Sequence, residues 1–247
     1  MDLQTFFKRN PSVALGFSGG VDSSYLLYAG LHYGAQVRAY YVKTVFQPQF
    51  ELEDALRMAK ELGAEMTVIE TDILAAPDVA KNPADRCYHC KTALFSLLKK
   101  CAFEDGFSVL IDGSNASDDA GDRPGMRALQ ELSVRSPLRE CGITKAEVRR
   151  LSKEAGLFTW DKPAYACLAT RIPTGRLITE ELLSRVERAE DALFAMGFTD
   201  FRVRILYESA KLQLPETQMM SALEKKEQII AALADTFSAV LLDLTAR

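Results

Sequence analysis

The chain has 247 residues, a length that allows one large domain or a medium domain with a small companion. Apolar residues make up 48% and charged residues 26%, with 14 glycines and 9 prolines, which excludes a disordered, collagenous or low-complexity protein. Thirty Lys and Arg against 34 Asp and Glu leave a net charge of −4, the wrong sign for holding nucleic acid by bulk electrostatics.

No apolar run approaches the roughly 18 residues of a membrane span, and the first five residues lack the basic-then-apolar pattern of a signal peptide. The expectation is a cytoplasmic protein with no membrane partner. Its five cysteines are an odd number. In a reducing compartment, two close in sequence point to metal binding or redox chemistry rather than to bracing of the fold.

Residues 13–17 form a short apolar strand that ends in Ser18-Gly19-Gly20, and Val21, Tyr25, Leu26, Leu27 and Leu31 then give a helical stripe. A second strand is expected at 36–42, a helix at 51–62 closed by Gly63, and a third strand at 65–70. Residues 90–103 are expected to be helical and 107–111 to form a fourth strand, followed by the polar loop Asp112-Gly113-Ser114-Asn115. Strands alternating with helices imply an α/β fold: a parallel sheet with helices on both faces, binding ligands at the carboxyl ends of its strands.

Thr144-Lys145-Ala146-Glu147 has the pattern of a capping box opening the next helix, with Gly156 as its stop. The irregular stretch 162–175 reads as a loop between domains. A strong amphipathic helix at 179–196, strands at 201–206, 211–214 and 239–244, and a helix at 220–234 suggest a small α+β unit. The expected division is therefore 1–172 and 173–247.

Ser18-Gly19-Gly20-Val21-Asp22-Ser23-Ser24 is neither a Walker loop, which needs its Lys, nor a Gly-x-Gly-x-x-Gly fingerprint. It nevertheless has the physics of an anion site. Gly19 and Gly20 let the backbone approach phosphate oxygens, and Ser18, Ser23 and Ser24 bring hydroxyls and N–H groups to a helix N-terminus. Asp22 would repel phosphate unless a cation lay between them, which points to Mg²⁺. The segment resembles the PP-loop of ATP pyrophosphatases, which cleave ATP between the α- and β-phosphates and activate an oxygen as its adenylate.

Arg86-Cys87-Tyr88-His89-Cys90 sets two thiols at i and i+3, near enough to share one metal centre. Cys167 lies in the irregular loop expected to face the same crevice, so three thiolates can converge. His89 is awkwardly placed as a fourth ligand, and three cysteines with an open position suit a [4Fe–4S] cluster better than structural zinc. A Cys-x-x-Cys pair by itself could also be a redox relay or two small buried hydrophobes. Cys101, beside Leu97 and Leu98, reads as core, and Cys141, beside Gly142, has no evident partner.

Beyond the loop, the sequence resembles one branch of the PP-loop enzymes, the LarE-type ATP-dependent sacrificial sulfur transferases of the nickel-pincer cofactor pathway of lactate racemase. The matching stretches are Asn82-Pro83 with Arg86-Cys87-Tyr88-His89-Cys90-Lys91, Asp112-Gly113-Ser114-Asn115-Ala116, Arg123-Pro124-Gly125-Met126-Arg127-Ala128, and Val134-Arg135-Ser136-Pro137-Leu138. The longest runs from Leu151-Ser152-Lys153 through Thr159-Trp160-Asp161-Lys162-Pro163-Ala164 to Cys167-Leu168-Ala169-Thr170-Arg171-Ile172-Pro173. Order and spacing agree over residues 13 to about 205.

The resemblance implies that ATP adenylates a carboxylate of a pyridinium dicarboxylate mononucleotide and that sulfur displaces AMP to leave a thiocarboxylate. In single-cysteine members the donor is the residue matching Cys167, which is left as dehydroalanine. Cationic neighbours such as Arg171 or Arg176 would favour its thiolate. Because Cys87 and Cys90 are also present, the resemblance favours the three-cysteine subgroup, with Cys87, Cys90 and Cys167 holding a [4Fe–4S] cluster that passes on a sulfide. Arg171 is a further candidate for the substrate phosphate, with Arg202 and Arg204, which alternate along a strand and so point the same way. Departures from the family pattern are Leu206-Tyr207, where His-Gly is common, and the ending Asp243-Leu244-Thr245-Ala246-Arg247. A homo-oligomer is expected.

Three readings compete. A tRNA thiolase shares the sulfur chemistry, but the acidic balance and the lack of an evident RNA-binding module stand against it. An amide-forming ATP pyrophosphatase gives three placed cysteines no use. A non-catalytic adenine-nucleotide sensor would keep only the loop.

Overall fold

The computed structural model describes residues 1–118 and 124–246. Arg123 of the matching stretches above and Arg247 of the chain end lie outside the described residues. The chain divides into two units, Met1–Ile73 with Asp85–Lys162, and Leu74–Ala84 with Pro163–Arg247.

In the first unit the order is α1 (Leu3–Arg9), β1 (Ser12–Gly16), α2 (Val21–His32), β2 (Gln36–Lys43), α3 (Gln49–Glu61) and β3 (Glu65–Glu70). In chain order α4 (Pro77–Ala80) comes next but belongs to the second unit. The first unit resumes with α5 (Arg86–Glu104), β4 (Leu110–Ile111), α6 (Pro124–Glu131), α7 (Pro137–Glu140) and α8 (Lys145–Glu154). The sheet is parallel throughout, in the order β3-β2-β1-β4.

Alternation along the strands sends their side chains to two cores. Val13 and Leu15 of β1 and Val37, Ala39 and Tyr41 of β2 pack with Phe6, Leu26, Met58 and Val148 on one face. Ala14 and Tyr40 point the other way, to Leu98 and Ala102 of α5 and to Met126 and Leu129 of α6. This is the expected parallel sheet with helices on both faces. β4 extends over only two residues of the expected 107–111. After β3 the chain crosses back to the far side of β1, so the strand order reverses between β1 and β4. That reversal opens a crevice at the carboxyl ends of those two strands.

The second unit holds α4, α9 (Glu180–Ala195), β5 (Arg202–Leu206), β6 (Ser209–Gln213), α10 (Glu216–Glu224), α11 (Lys226–Leu233) and β7 (Ala239–Leu242). β5 and β6 are antiparallel, and β6 and β7 parallel. The apolar stripe of α9, Leu182, Leu183, Val186, Ala189 and Leu193, is buried, as are Val203 and Ile205 of β5 and Ala210 and Leu212 of β6. The helix expected at 220–234 is two helices meeting at Lys225.

The border expected after residue 172 falls instead after Lys162, so the Cys167 loop belongs with the second unit. Leu74–Ala84 joins that unit through Asn82, a residue in the left-handed region at φ 55°. Its side-chain amide donates to the carbonyls of Ile172 (3.3 Å) and Pro173 (2.8 Å), while its own carbonyl accepts from the Gly175 N–H. Partners 90 residues apart leave no periodic signal in a sequence.

Candidate active site

The 18–24 loop joins β1 to α2 in the crevice. Gly19 has φ +69°, and a Cβ there would stand 3.0 Å from the Ala55 Cβ and 3.1 Å from its backbone, so both conformation and space demand glycine. The Ser18 and Ser23 hydroxyls lie 3.1 Å apart, Ser23 Oγ donates to the Gly20 carbonyl, and the Gly20 N–H points to Ser18 Oγ. By helix geometry the N–H groups of Val21, Asp22 and Ser23 have no acceptor within α2, and its dipole adds positive potential there. Ser24 differs: it is wholly buried, its N–H bonds the Gly20 carbonyl, and its hydroxyl has no protein partner.

The loop after β4 forms the facing wall. A Cβ on Gly113 would come within 3.0 Å of the Ser23 nitrogen, so only glycine allows this approach to the start of α2. Asp112 is buried and accepts from the hydroxyls of Ser114 and Ser136 (2.6 Å for Ser136). Asn115 Nδ2 donates to Asp22 Oδ1 at 3.2 Å, and the Lys145 ammonium binds Asp22 Oδ2. The capping box opens α8 as expected, with Thr144 and Glu147 bonding reciprocally. Holding Glu147 below the usual carboxylate range are the Thr144 backbone N–H and then its hydroxyl. The pairing of Lys145 with Asp22 could not be read from the sequence, because the residue looks like an ordinary first residue of a capped helix.

Cys87 and Cys90 occupy the first turns of α5, which begins at Arg86, four residues earlier than the expected 90. Cys87 is exposed and Cys90 half-buried, and i,i+3 spacing sets them on one helix face. The Arg86 guanidinium reaches Cys87 Sγ at 3.7 Å. His89 faces away from the role of fourth ligand, with Nε2 3.3 Å from its own N-cap carboxylate, Asp85. Gly125 of α6 lies against this turn; a Cβ there would meet the Lys91 stem at 2.9 Å. Cys101 and Cys141 are partly buried at the margins of the two cores, and burial pushes the Cys141 thiol up. Among the described residues no group of three or more His, Cys, Asp or Glu is gathered as a metal-holding set.

Cys167, in the second unit, caps a 3₁₀ turn over Leu168–Arg171, and its side chain makes no capping bond. The three candidate phosphate arginines meet around this loop. Arg171, whose side chain has 0% exposure, donates to the carbonyls of Ala166 (2.6 Å) and Cys167 (3.3 Å) and pairs doubly with Glu190 at 2.8 and 2.9 Å. Burial alone would lower the pKa of Arg171, but the bonds and charge of Glu190 outweigh it and the pKa is raised. Arg204 donates to the Thr170 carbonyl at 2.6 Å, and Arg202, also buried, to that of Ala164 at 3.2 Å.

In the structure Arg171 braces the Cys167 loop, its enclosed guanidinium bonded to Glu190 and to the loop carbonyls. Arg176 bonds the Tyr207 carbonyl and Glu208. Sequence reasoning missed Glu190, which also accepts from the Tyr165 hydroxyl and the Val203 N–H. Its one signal was a carboxylate on the apolar stripe of α9.

No helix is long and apolar enough to cross a membrane, among the described residues. No family model matches the chain. An uncharacterized protein of Synechocystis sp. is 37% identical over 239 residues, covering 96% of this chain and 88% of that one. Pyridinium-3,5-bisthiocarboxylic acid mononucleotide synthase of Lactiplantibacillus plantarum is 32% identical over 235 residues, 94% of this chain and 85% of the synthase. The tRNA-specific 2-thiouridylase MnmA of Thermotoga sp. matches more distantly, at 26% over 59% of this chain and 52% of its own. Since the match to the synthase takes in nearly the whole of this chain, both units included, the chain belongs to the LarE family of PP-loop sulfur transferases.

Proposed function

We propose that this chain is an ATP-dependent sulfur transferase of nickel-pincer cofactor biosynthesis, which adenylates a carboxylate of a pyridinium dicarboxylate mononucleotide and converts it to a thiocarboxylate. The observation that carries the reading is the glycine-shaped 18–24 loop at the strand-order reversal, in a chain 32% identical to a synthase of a bisthiocarboxylic acid mononucleotide.

Ser18, Gly19, Gly20 and Ser23 hold the ATP polyphosphate with backbone N–H groups and hydroxyls at the start of α2. Asp22, a half-buried carboxylate among them, takes Mg²⁺. The substrate carboxylate attacks the α-phosphorus, the bond to the bridging oxygen breaks, and pyrophosphate leaves with the electron pair. The acyl-adenylate is then the electrophile for sulfur. The expected cytoplasmic location and homo-oligomeric state belong to this proposal.

For the sulfur we propose Cys87, Cys90 and Cys167 as thiolate ligands of a [4Fe–4S] cluster. The donor set fits in chemistry: two thiols one turn apart on α5 and a third cysteine are three thiolates, the number that leaves one iron of such a cluster open. When bound, the cluster supplies a sulfide at that open position. A specific observation favours a second reading, in which Cys167 gives up its own sulfur: Arg171, Arg202 and Arg204 fix the carbonyls around Cys167, as a nucleophile's loop would require.

Anaerobic reconstitution with iron and sulfide separates the two. Cluster absorption and iron bound by the wild type but lost in Cys87→Ser support the first. Absence of iron and labile sulfide, with dehydroalanine at 167 after turnover, overturns it in favour of the second.

A further inference from the structure

Residues 112–118, the wall that faces the 18–24 loop, contain no helix or strand, and the segment 137–143 holds them by their backbone. The Arg139 N–H donates to the Ser114 carbonyl at 3.2 Å, and the Ala116 N–H donates to the Ile143 carbonyl at 2.8 Å. The Arg139 side chain adds two bonds to the same wall, from Nε to the Asn115 carbonyl at 3.4 Å and from Nη2 to that of Asp118 at 2.8 Å. A planar guanidinium can bridge two carbonyls in this way, whereas an ammonium on a flexible stem cannot fix both. The carboxylate next along the chain, Glu140, is taken by Arg135.

The loop so held leaves one side-chain amide with a single orientation. Asn115 Oδ1 accepts from the Ser117 N–H at 2.8 Å, so Nδ2 is turned to the other side, where it donates to Asp22 Oδ1 at 3.2 Å. With that oxygen held, the plane of the Asp22 carboxylate is held too. We propose that Arg139 is a positioning residue for the metal-dependent part of nucleotide binding: by fixing the Asn115 and Asp118 carbonyls it aims the Asn115 amide at Asp22, and so sets how readily that carboxylate takes Mg²⁺ together with ATP. A residue that orients a metal ligand acts on affinity without touching the metal. This inference rests on the reading of the 18–24 loop as an ATP site with Mg²⁺ on Asp22.

The test is equilibrium binding of ATP across a Mg²⁺ titration, with Mg²⁺-free AMP binding for comparison, by the full chain and its Arg139→Met, Arg139→Lys, Asn115→Ala and Arg139→Met/Asn115→Ala variants. Arg139→Met should raise the Mg²⁺ concentration for half-maximal ATP binding by about 10-fold, the scale for losing the support of a metal ligand, and leave AMP within about twofold. Asn115→Ala should do the same, and the double variant should be no worse than the worse single one, because both changes break one chain of contacts. Arg139→Lys should fall between Arg139→Met and wild type, and it carries the comparison if Arg139→Met melts below the assay temperature. An unchanged Mg²⁺ requirement in the Arg139 variants, whatever their melting temperature, overturns the proposal, as do losses that multiply in the double variant or that weaken AMP as much as ATP. A wild-type chain that binds ATP while the variants match it overturns this inference alone, whereas a wild type that binds no ATP overturns the ATP reading with it.

Discussion

The 18–24 loop takes its shape from the backbone and small side chains, whereas the 164–170 loop is held by long charged side chains reaching from α9, β5 and its own 3₁₀ turn. At Gly19 the determinant is a positive φ and a Cβ-free surface against Ala55. At Cys167 it is a set of carbonyls gripped by Arg171, Arg202 and Arg204, with Glu190 gripping Arg171 in turn. The difference teaches where each loop is vulnerable. The first is vulnerable to an added atom at Gly19, and the second to a lost charge at Glu190 or its arginines.

The largest effect should follow from breaking the second arrangement. Glu190→Ala leaves a fully buried guanidinium without its counter-charge, which costs about 3–5 kcal/mol. Denaturant unfolding should show this loss, and Glu190→Gln, which keeps a hydrogen-bonding side chain, should lose less. Equal stability of Glu190→Ala and wild type would remove the brace from the account.

Gly19→Ala should cost about 1–3 kcal/mol from the left-handed backbone, with the close approach to Ala55 in addition. Gly34→Ala is the control, because its φ is +79° but nothing lies within 4 Å of the added Cβ. Thermal unfolding should rank Gly19→Ala as the more damaging, and only Gly19→Ala should abolish nucleotide binding. Thr144→Ala removes the capping box and should cost about 1 kcal/mol in the same measurement.

The smallest effect separates the proposed cluster thiol Cys87 from Cys141 by rate. Burial raises the Cys141 pKa, so at pH 8 a smaller fraction of that thiol is thiolate than at an unburied site, while Cys87 is exposed. Timed alkylation followed by peptide mass mapping should label Cys87 first and Cys141 late, and raising the pH should speed Cys141. Labelling of Cys141 ahead of Cys87 contradicts the assignment.

The same contrast explains what the sequence made legible. The strand-turn-helix around residues 13–31, the capping box at Thr144 and the thiol pair at Cys87 and Cys90 are local patterns, and each matches the structure in its essentials. The border between the units was not legible, because Asn82 binds carbonyls some 90 residues further on. Nor was the role of Arg171, since a motif names an arginine without saying that Glu190, 19 residues later, encloses it. Lys145 was hidden in its helix cap, its partner Asp22 being 123 residues away.

The central claim, ATP-dependent sulfur transfer to a carboxylate, is tested most directly by incubating the full, anaerobically reconstituted chain with ATP, Mg²⁺, a sulfide source and pyridinium-3,5-dicarboxylate mononucleotide, and quantifying the products by mass spectrometry. The account predicts AMP and pyrophosphate in equal amounts, one of each for every carboxylate converted to thiocarboxylate, and neither without the substrate. Formation of ADP, or of thiocarboxylate in the absence of ATP, would contradict it.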